Sequence, residues 1–241
     1  MMYWHDILIA LTAFVSEFLG TISGFGSSTF FVPIGLLFEK YNFILALTAL
    51  LHIFGNISKL FLFRNYFDRA LFLKLVVPSV VLTGLGALLN KYVSFDILKV
   101  FLGFFLIILA IIFFFKLKAT QIMFFKNARM TLGISGFITG LLGTGGALRG
   151  IALTSLQIEK NSFVILSASI DLGGDLLRAS IYLYNNYFDW SHWFYIPTLM
   201  AVAYSGSFLG KFVLTKIKQK NFERIVMFLV FISGLALLFE S

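Results

Sequence analysis

The chain contains no cysteine, which removes disulfides, thiol catalysis, thiolate metal centres and iron–sulfur clusters from consideration. Charge is scarce as well. Asp, Glu, Lys and Arg make up 12% of the 241 residues, about half the share of an ordinary soluble domain. There are 3 histidines, none spaced from another like a ligand pair, so no metal site is expected. The glycine-rich stretches lack the strand context of a dinucleotide fold and the Gly-Lys-Ser/Thr ending of a phosphate loop, so no nucleotide-driven pump is expected. No nucleophile and base stand at a telling spacing; neither an enzyme nor a cofactor is expected. Met1 to Asp6 carry no basic segment of signal-peptide type, and the first apolar run is expected to be retained.

Apolar side chains fill the rest. Hydrophobic residues reach 59% and aromatic residues 18%, and the mean hydropathy is +0.94. A water-soluble fold of this size needs more polar surface than that, whereas lipid accepts apolar surface all round. The expectation is one all-α integral membrane domain with short loops. A net charge of +8 would suggest nucleic acid in a soluble protein. Here most of the Lys and Arg stand between apolar runs, where they orient a membrane protein, and nucleic acid is not an expected partner.

The apolar runs lie at 7–37, 43–63, 71–90, 97–115, 129–157, 162–184, 193–215 and 224–239. Two, at 7–37 and 129–157, exceed the roughly 20 residues that cross a bilayer. Each is interrupted by small residues: Gly24-Phe25-Gly26-Ser27-Ser28-Thr29 in one, Gly143-Thr144-Gly145-Gly146-Ala147 in the other. A shift of 119 positions places Gly24 and Gly26 on Gly143 and Gly145, His52 on Asp171, Asn56 on Asp175, Lys59 on Arg178 and Pro78 on Pro197. The chain is therefore expected to hold two repeats of about 120 residues, 1–119 and 120–241, joined in the basic loop 116–129.

Charge selects between two topologies. Eight plain spans with parallel repeats divide the 16 loop and flank cations 9 to 7, whereas turning both long runs back at their glycines divides them 13 to 3. The second division obeys the positive-inside rule. It predicts inverted repeats, each a glycine-broken re-entrant hairpin plus three transmembrane helices. Both termini are then outside, with loops 64–74, 116–129 and 211–224 in the cytoplasm.

Broken helices at membrane depth must line a cavity, and their N-terminal amides attract anions. Gly26, Ser27, Ser28 and Thr29 are candidate anion ligands in the first break, and Gly145, Gly146 and Arg149 in the second. The hydroxyls of Ser27, Ser28 and Thr29 are also expected to cap the helix that follows. Arginine beside bare amides suits carboxylate, sulfite or sulfonate. Six charges fall inside apolar runs: Glu17, Lys59, Arg149, Asp171, Asp175 and Arg178. They sum to zero, so either they form structural ion pairs or they carry coupling protons, with Glu17 or Asp171 the candidate carrier. Asp171, Asp175 and Arg178 share a helix face, as do His52, Asn56 and Lys59. His52 by itself is expected to be structural.

The segment from Gly20 to Pro33 resembles the first signature of the TauE/SafE sulfite exporter family, a glycine-rich turn before an apolar run ending in proline. Gly136 to Gly150, containing Gly143-Thr144-Gly145-Gly146-Ala147-Leu148-Arg149, is the closer match. With Ser167 to Leu172 and Arg178 it is similar to a branch carrying Gly-Thr-Gly-Gly-x-x-Arg. Ser27 and Ser28 replace glycines usual in the first motif, and Ala152 stands where proline is frequent. The resemblance implies transport, often outward, of sulfite or small organosulfur anions across the plasma membrane. The residues themselves ask only for a small anion, sulfur-containing or carboxylate, with protons as a candidate coupling ion. An anion channel and a membrane scaffold with structural charges remain the alternatives.

Overall fold

The computed structural model describes residues 4–24, 26–94 and 127–218, with isolated positions among 97–111 and 221–235. The runs expected at 97–115 and 224–239, and the join at 116–129, lie largely outside the described residues. Among the described residues there are helices and turns and no strand. The helices are α1 (Trp4–Ser23), α2 (Ser28–Gly35), α3 (Tyr41–Leu62), α4 (Arg69–Leu89), α5 (Ala128–Leu142), α6 (Gly146–Thr154), α7 (Lys160–Tyr184) and α8 (Tyr195–Lys216).

Both long apolar runs break at their glycines. Helix α1 ends in Gly24 at φ +72°, followed by Gly26 at φ +88°, and α5 ends in Gly143 at φ +77°. This left-handed backbone is cheap for glycine alone. His5, at the start of α1, places Nδ1 3.5 Å from Glu39 Oε1 beyond the end of α2 and turns a ring edge to Phe38. In the second half Asn127 and Ala128, before and at the start of α5, border the same surface recess as Leu156, beyond α6.

The halves interlock. Helix α1 packs on α8, α5 on α4, and α3 on α7, while α4 also touches α7 and α3 touches α8. Under the 119-residue shift these pairings map onto one another. Helices α4 and α5 approach so closely that a Cβ at Gly136 or Gly140 would overlap backbone carbonyls of Ser79 or Thr83, the small-residue contact that joins helices where no hydrophobic effect operates. Helices α3 and α7 are antiparallel. Leu45 and Ala49 near the start of α3 pack with Ala179 and Tyr182 near the end of α7. Leu60 near the end of α3 joins the cluster of Phe163 and Val164 at the start of α7.

Among the described residues, four helices are long and apolar enough to cross a membrane: Trp4–Ser23, Tyr41–Leu62, Arg69–Tyr92 and Tyr195–Lys216. Helix α7 has 25 residues, about 37 Å of helix at the standard rise, and carries Lys160, Asp171, Asp175 and Arg178. Large apolar side chains cover the outside, among them Leu73, Val77, Val81, Phe208 and Phe212. Polar ones are turned inward: Glu17, His52, Asn56, Lys59, Arg149, Asp171, Asp175 and Arg178 are all buried. That inversion of the soluble pattern is what lipid demands.

Candidate functional site: a polar cleft beside the first helix break

The polar side chains arrive from six helices. The crossing of α3 and α7 presents the faces 52, 56, 59 and 171, 175, 178 to each other, because residues three and four apart share a helix face. The Asn56 amide donates to Asp175 Oδ2 at 2.7 Å. Arg178 Nε donates to Asp175 Oδ1 at 2.8 Å, and Arg178 Nη1 donates to the carbonyl of Gly143 at 3.1 Å. The second glycine break is thus tied to the crossing. One turn on, the Tyr182 hydroxyl donates to the Gly140 carbonyl at 2.5 Å.

The first break is tied to the same crossing by His52. The Ser28 backbone N–H, at the start of α2, donates to His52 Nε2 at 2.8 Å. Since an N–H only donates, Nε2 is the acceptor and the imidazole carries its proton on Nδ1. Nδ1 faces Asp175 Oδ2 at 3.3 Å. A chain of contacts therefore runs from Ser28 through His52, Asp175 and Arg178 to Gly143, one break to the other.

All six intramembrane charges are paired. Lys59 Nζ lies 2.6 Å from Glu17 Oε1, and the Ser207 hydroxyl donates to the same oxygen at 2.9 Å. Arg149 Nη1 pairs with Asp171 Oδ1, and Arg149 Nε donates to the Ser167 hydroxyl at 2.8 Å. Asp175 and Arg178 complete the set. The network is electrically neutral, the condition under which buried charge is tolerated.

Between these pairs lies a cleft of about 170 Å³, too narrow in this conformation for a water molecule. Gly20, Gly24 and Gly26 of the first break form one wall. Asn56 and Lys59 form a second, and Val164, Ser167, Ala168 and Asp171 a third. Gly26 is the closest point: a Cβ there would stand 3.0 Å from His52 Cε1 and 3.3 Å from Arg149 Nη2. The Ser28 and Thr29 hydroxyls are buried without a hydrogen-bond partner among the described residues. Helix α2 begins without a side-chain cap from Ser27, contrary to the capping expected from the sequence; with no cap there, the amides of its first turn are left to other partners.

Of the expected anion ligands, Gly26, Ser28 and Arg149 meet around His52, with Ser27 and Thr29 beside them on α2. Gly145 and Gly146 do not reach the cleft walls. Gly145 packs on α5, where its carbonyl accepts from the Ser135 hydroxyl at 2.8 Å. Ser167 was not singled out as a site residue, although it lies one helical turn before Asp171 on the same face, which was signal enough to find it. Ser207 had no such signal, because its helix shows no polar stripe. His52, Asp171 and Asp175 bring donor atoms within 4.8 Å of one another, but Arg149, Arg178, Asn56 and the Ser28 amide already occupy them. The chemistry is that of an ion-pair network.

The family model for the sulfite exporter TauE/SafE matches residues 8–237, nearly the whole chain. No curated protein and no solved structure gives a significant match. A glycine-broken, internally neutral, all-helical membrane domain and a match of that extent lead to one assignment: the chain belongs to the TauE/SafE sulfite exporter family.

Proposed function

We propose that the protein is a secondary transporter that exports sulfite or a small organosulfur or organic anion across the plasma membrane. The anion binds in the cleft between the first glycine break and the α3/α7 crossing. The observation that carries this is the cleft itself: Asn56, Lys59, Ser167 and Asp171 converge with the glycines of the first break on one buried space, and the Arg149 guanidinium and His52, which holds the start of α2, stand against Gly26 at its edge. Because that space is closed to water here, entry requires the halves to move, and alternating access by rocking of the two repeats supplies the motion.

The repeats are inverted in this account, with 1–119 and 120–241 as the units. Antiparallel α3 and α7, equivalent under the sequence shift, support it. So does the return of each broken helix to its starting end. Arg64, Lys74, Arg129, Lys160, Lys211 and Lys216 then gather on the cytoplasmic side and both termini lie outside. In support, Arg129 Nε donates to the Lys74 carbonyl at 2.6 Å, and Lys160 Nζ to the carbonyls of Leu214 and Ile217 at 2.8 and 2.6 Å. Protons are the coupling ion, carried on the buried network. Complete charge pairing also favours a second reading, a membrane scaffold held by ion pairs. Uptake and counterflow in proteoliposomes for sulfite, taurine, sulfoacetate, thiosulfate and acetate separate the two: saturable flux supports the transporter, and no flux with no anion-dependent stabilisation supports the scaffold.

A further inference from the structure

We propose that His52 takes up one proton for each monovalent anion that binds, and that the Ser28 amide it thereby releases becomes a ligand of the anion. This rests on the transporter reading and names its coupling residue.

The argument starts from the hydrogen bond between Ser28 N–H and His52 Nε2, 2.8 Å long and buried. The Nε2 lone pair holds either that N–H or a proton, never both. Protonation adds an N–H at Nε2, breaks no covalent bond, and leaves the Ser28 amide without an acceptor. A buried amide left so is costly, and an incoming oxyanion removes that cost. The Ser28 and Thr29 hydroxyls stand beside it without a hydrogen-bond partner among the described residues, and Gly26, two residues earlier, lines the cleft.

Charge points the same way. The acids in the network, Glu17, Asp171 and Asp175, are each held by a full cation, Lys59, Arg149 and Arg178. Neutralising any of them strands a buried cation. His52 has no such obligation. It faces Asp171 and Asp175 of α7, with Arg178 behind Asp175, and the Arg149 guanidinium of α6 lies across Gly26. Glu17 of α1 and Lys59 of its own helix balance each other nearby. With His52 neutral, this set sums to zero. An anion alone would leave the site at minus one, and an anion with protonated His52 returns it to zero. By the same count a divalent anion would leave the site at minus one even with His52 protonated, so sulfite binds in its singly protonated form.

The test uses the full chain in nanodiscs and methanesulfonate, which stays monovalent across the accessible pH range. Over the range in which free His52 is neutral, affinity should rise about tenfold for each pH unit lowered. One proton should be taken up per anion, read with an indicator in weak buffer. His52→Gln keeps an acceptor for the Ser28 amide and should bind with no pH dependence. Flat binding with no proton uptake by the wild type overturns the coupling and leaves the transporter reading intact. A His52→Gln variant that retains the slope overturns it equally. If that variant does not fold, the wild-type slope and proton count decide alone. Failure of both methanesulfonate and sulfite to bind at any pH overturns this inference and the transporter reading together.

Discussion

Asn56 and Asp175 touch through a 2.7 Å hydrogen bond and stand 119 positions apart in the chain, the same interval that superimposes the two halves of the sequence. On the inverted-repeat proposal, this contact is where the axis relating the two units would pass. Both glycine breaks are hydrogen-bonded to this polar crossing of α3 and α7.

Asn56→Ala removes the amide donor to Asp175 at that crossing. Asp175 keeps Arg178, so the fold should survive with a loss of about 1.5–3 kcal/mol, the usual value of a hydrogen bond to a charged group. Reversible unfolding in mild detergent measures it, and a loss below about 0.5 kcal/mol would show that the crossing is held by packing alone.

Lys59→Met leaves Glu17 buried with only hydroxyl partners, Ser207 and Ser27. Breaking one side of a buried pair costs about 3–5 kcal/mol, whereas replacing both sides by apolar residues is close to neutral. The pair Lys59→Met with Glu17→Leu should therefore recover most of the stability lost by Lys59→Met. Unfolding of the single and double variants checks this, and additive losses would contradict the pairing.

Gly26→Ala meets two obstacles: φ is +88°, and the new methyl would press on His52 and Arg149. A cost of about 1–3 kcal/mol is expected from the backbone strain, with loss of anion binding because the methyl enters the cleft. Gly145→Ala should destabilise through α5 instead. If the Gly26→Ala protein binds anion as the wild type does, the cleft is not the site.

The absence of cysteine makes topology directly measurable. Tyr66→Cys and Ser155→Cys should react with an impermeant thiol reagent from the same side, and Tyr92→Cys from the other. Eight plain spans would instead put positions 66 and 155 on opposite sides.

Much of this architecture was legible in the sequence because membrane burial makes polar residues conspicuous. The breaks announced themselves by glycine clusters in runs too long for one crossing, and both lie where Gly24 and Gly143 turn left-handed. The facing stripes at 52, 56, 59 and 171, 175, 178 followed from helical spacing. Partner choice did not. Spacing within one helix cannot tell that Arg149 reaches Asp171 and Ser167, or that Lys59 takes Glu17 from α1, because those pairs depend on how α1, α6 and α7 are docked. Nor did composition distinguish Gly26, in the cleft, from Gly145, against α5. His52 gave the least warning: its role depends on the backbone amide of Ser28, and a backbone donor leaves no mark on the sequence.

The most direct test of the central claim is counterflow of sulfite in proteoliposomes, wild type beside an Arg149→Gln, Asp171→Asn variant that keeps the network neutral. The account predicts saturable exchange by the wild type, competed by methanesulfonate, and exchange reduced at least tenfold in the variant at unchanged melting temperature. Exchange that never saturates, or a variant that exchanges sulfite as fast as the wild type, would contradict it.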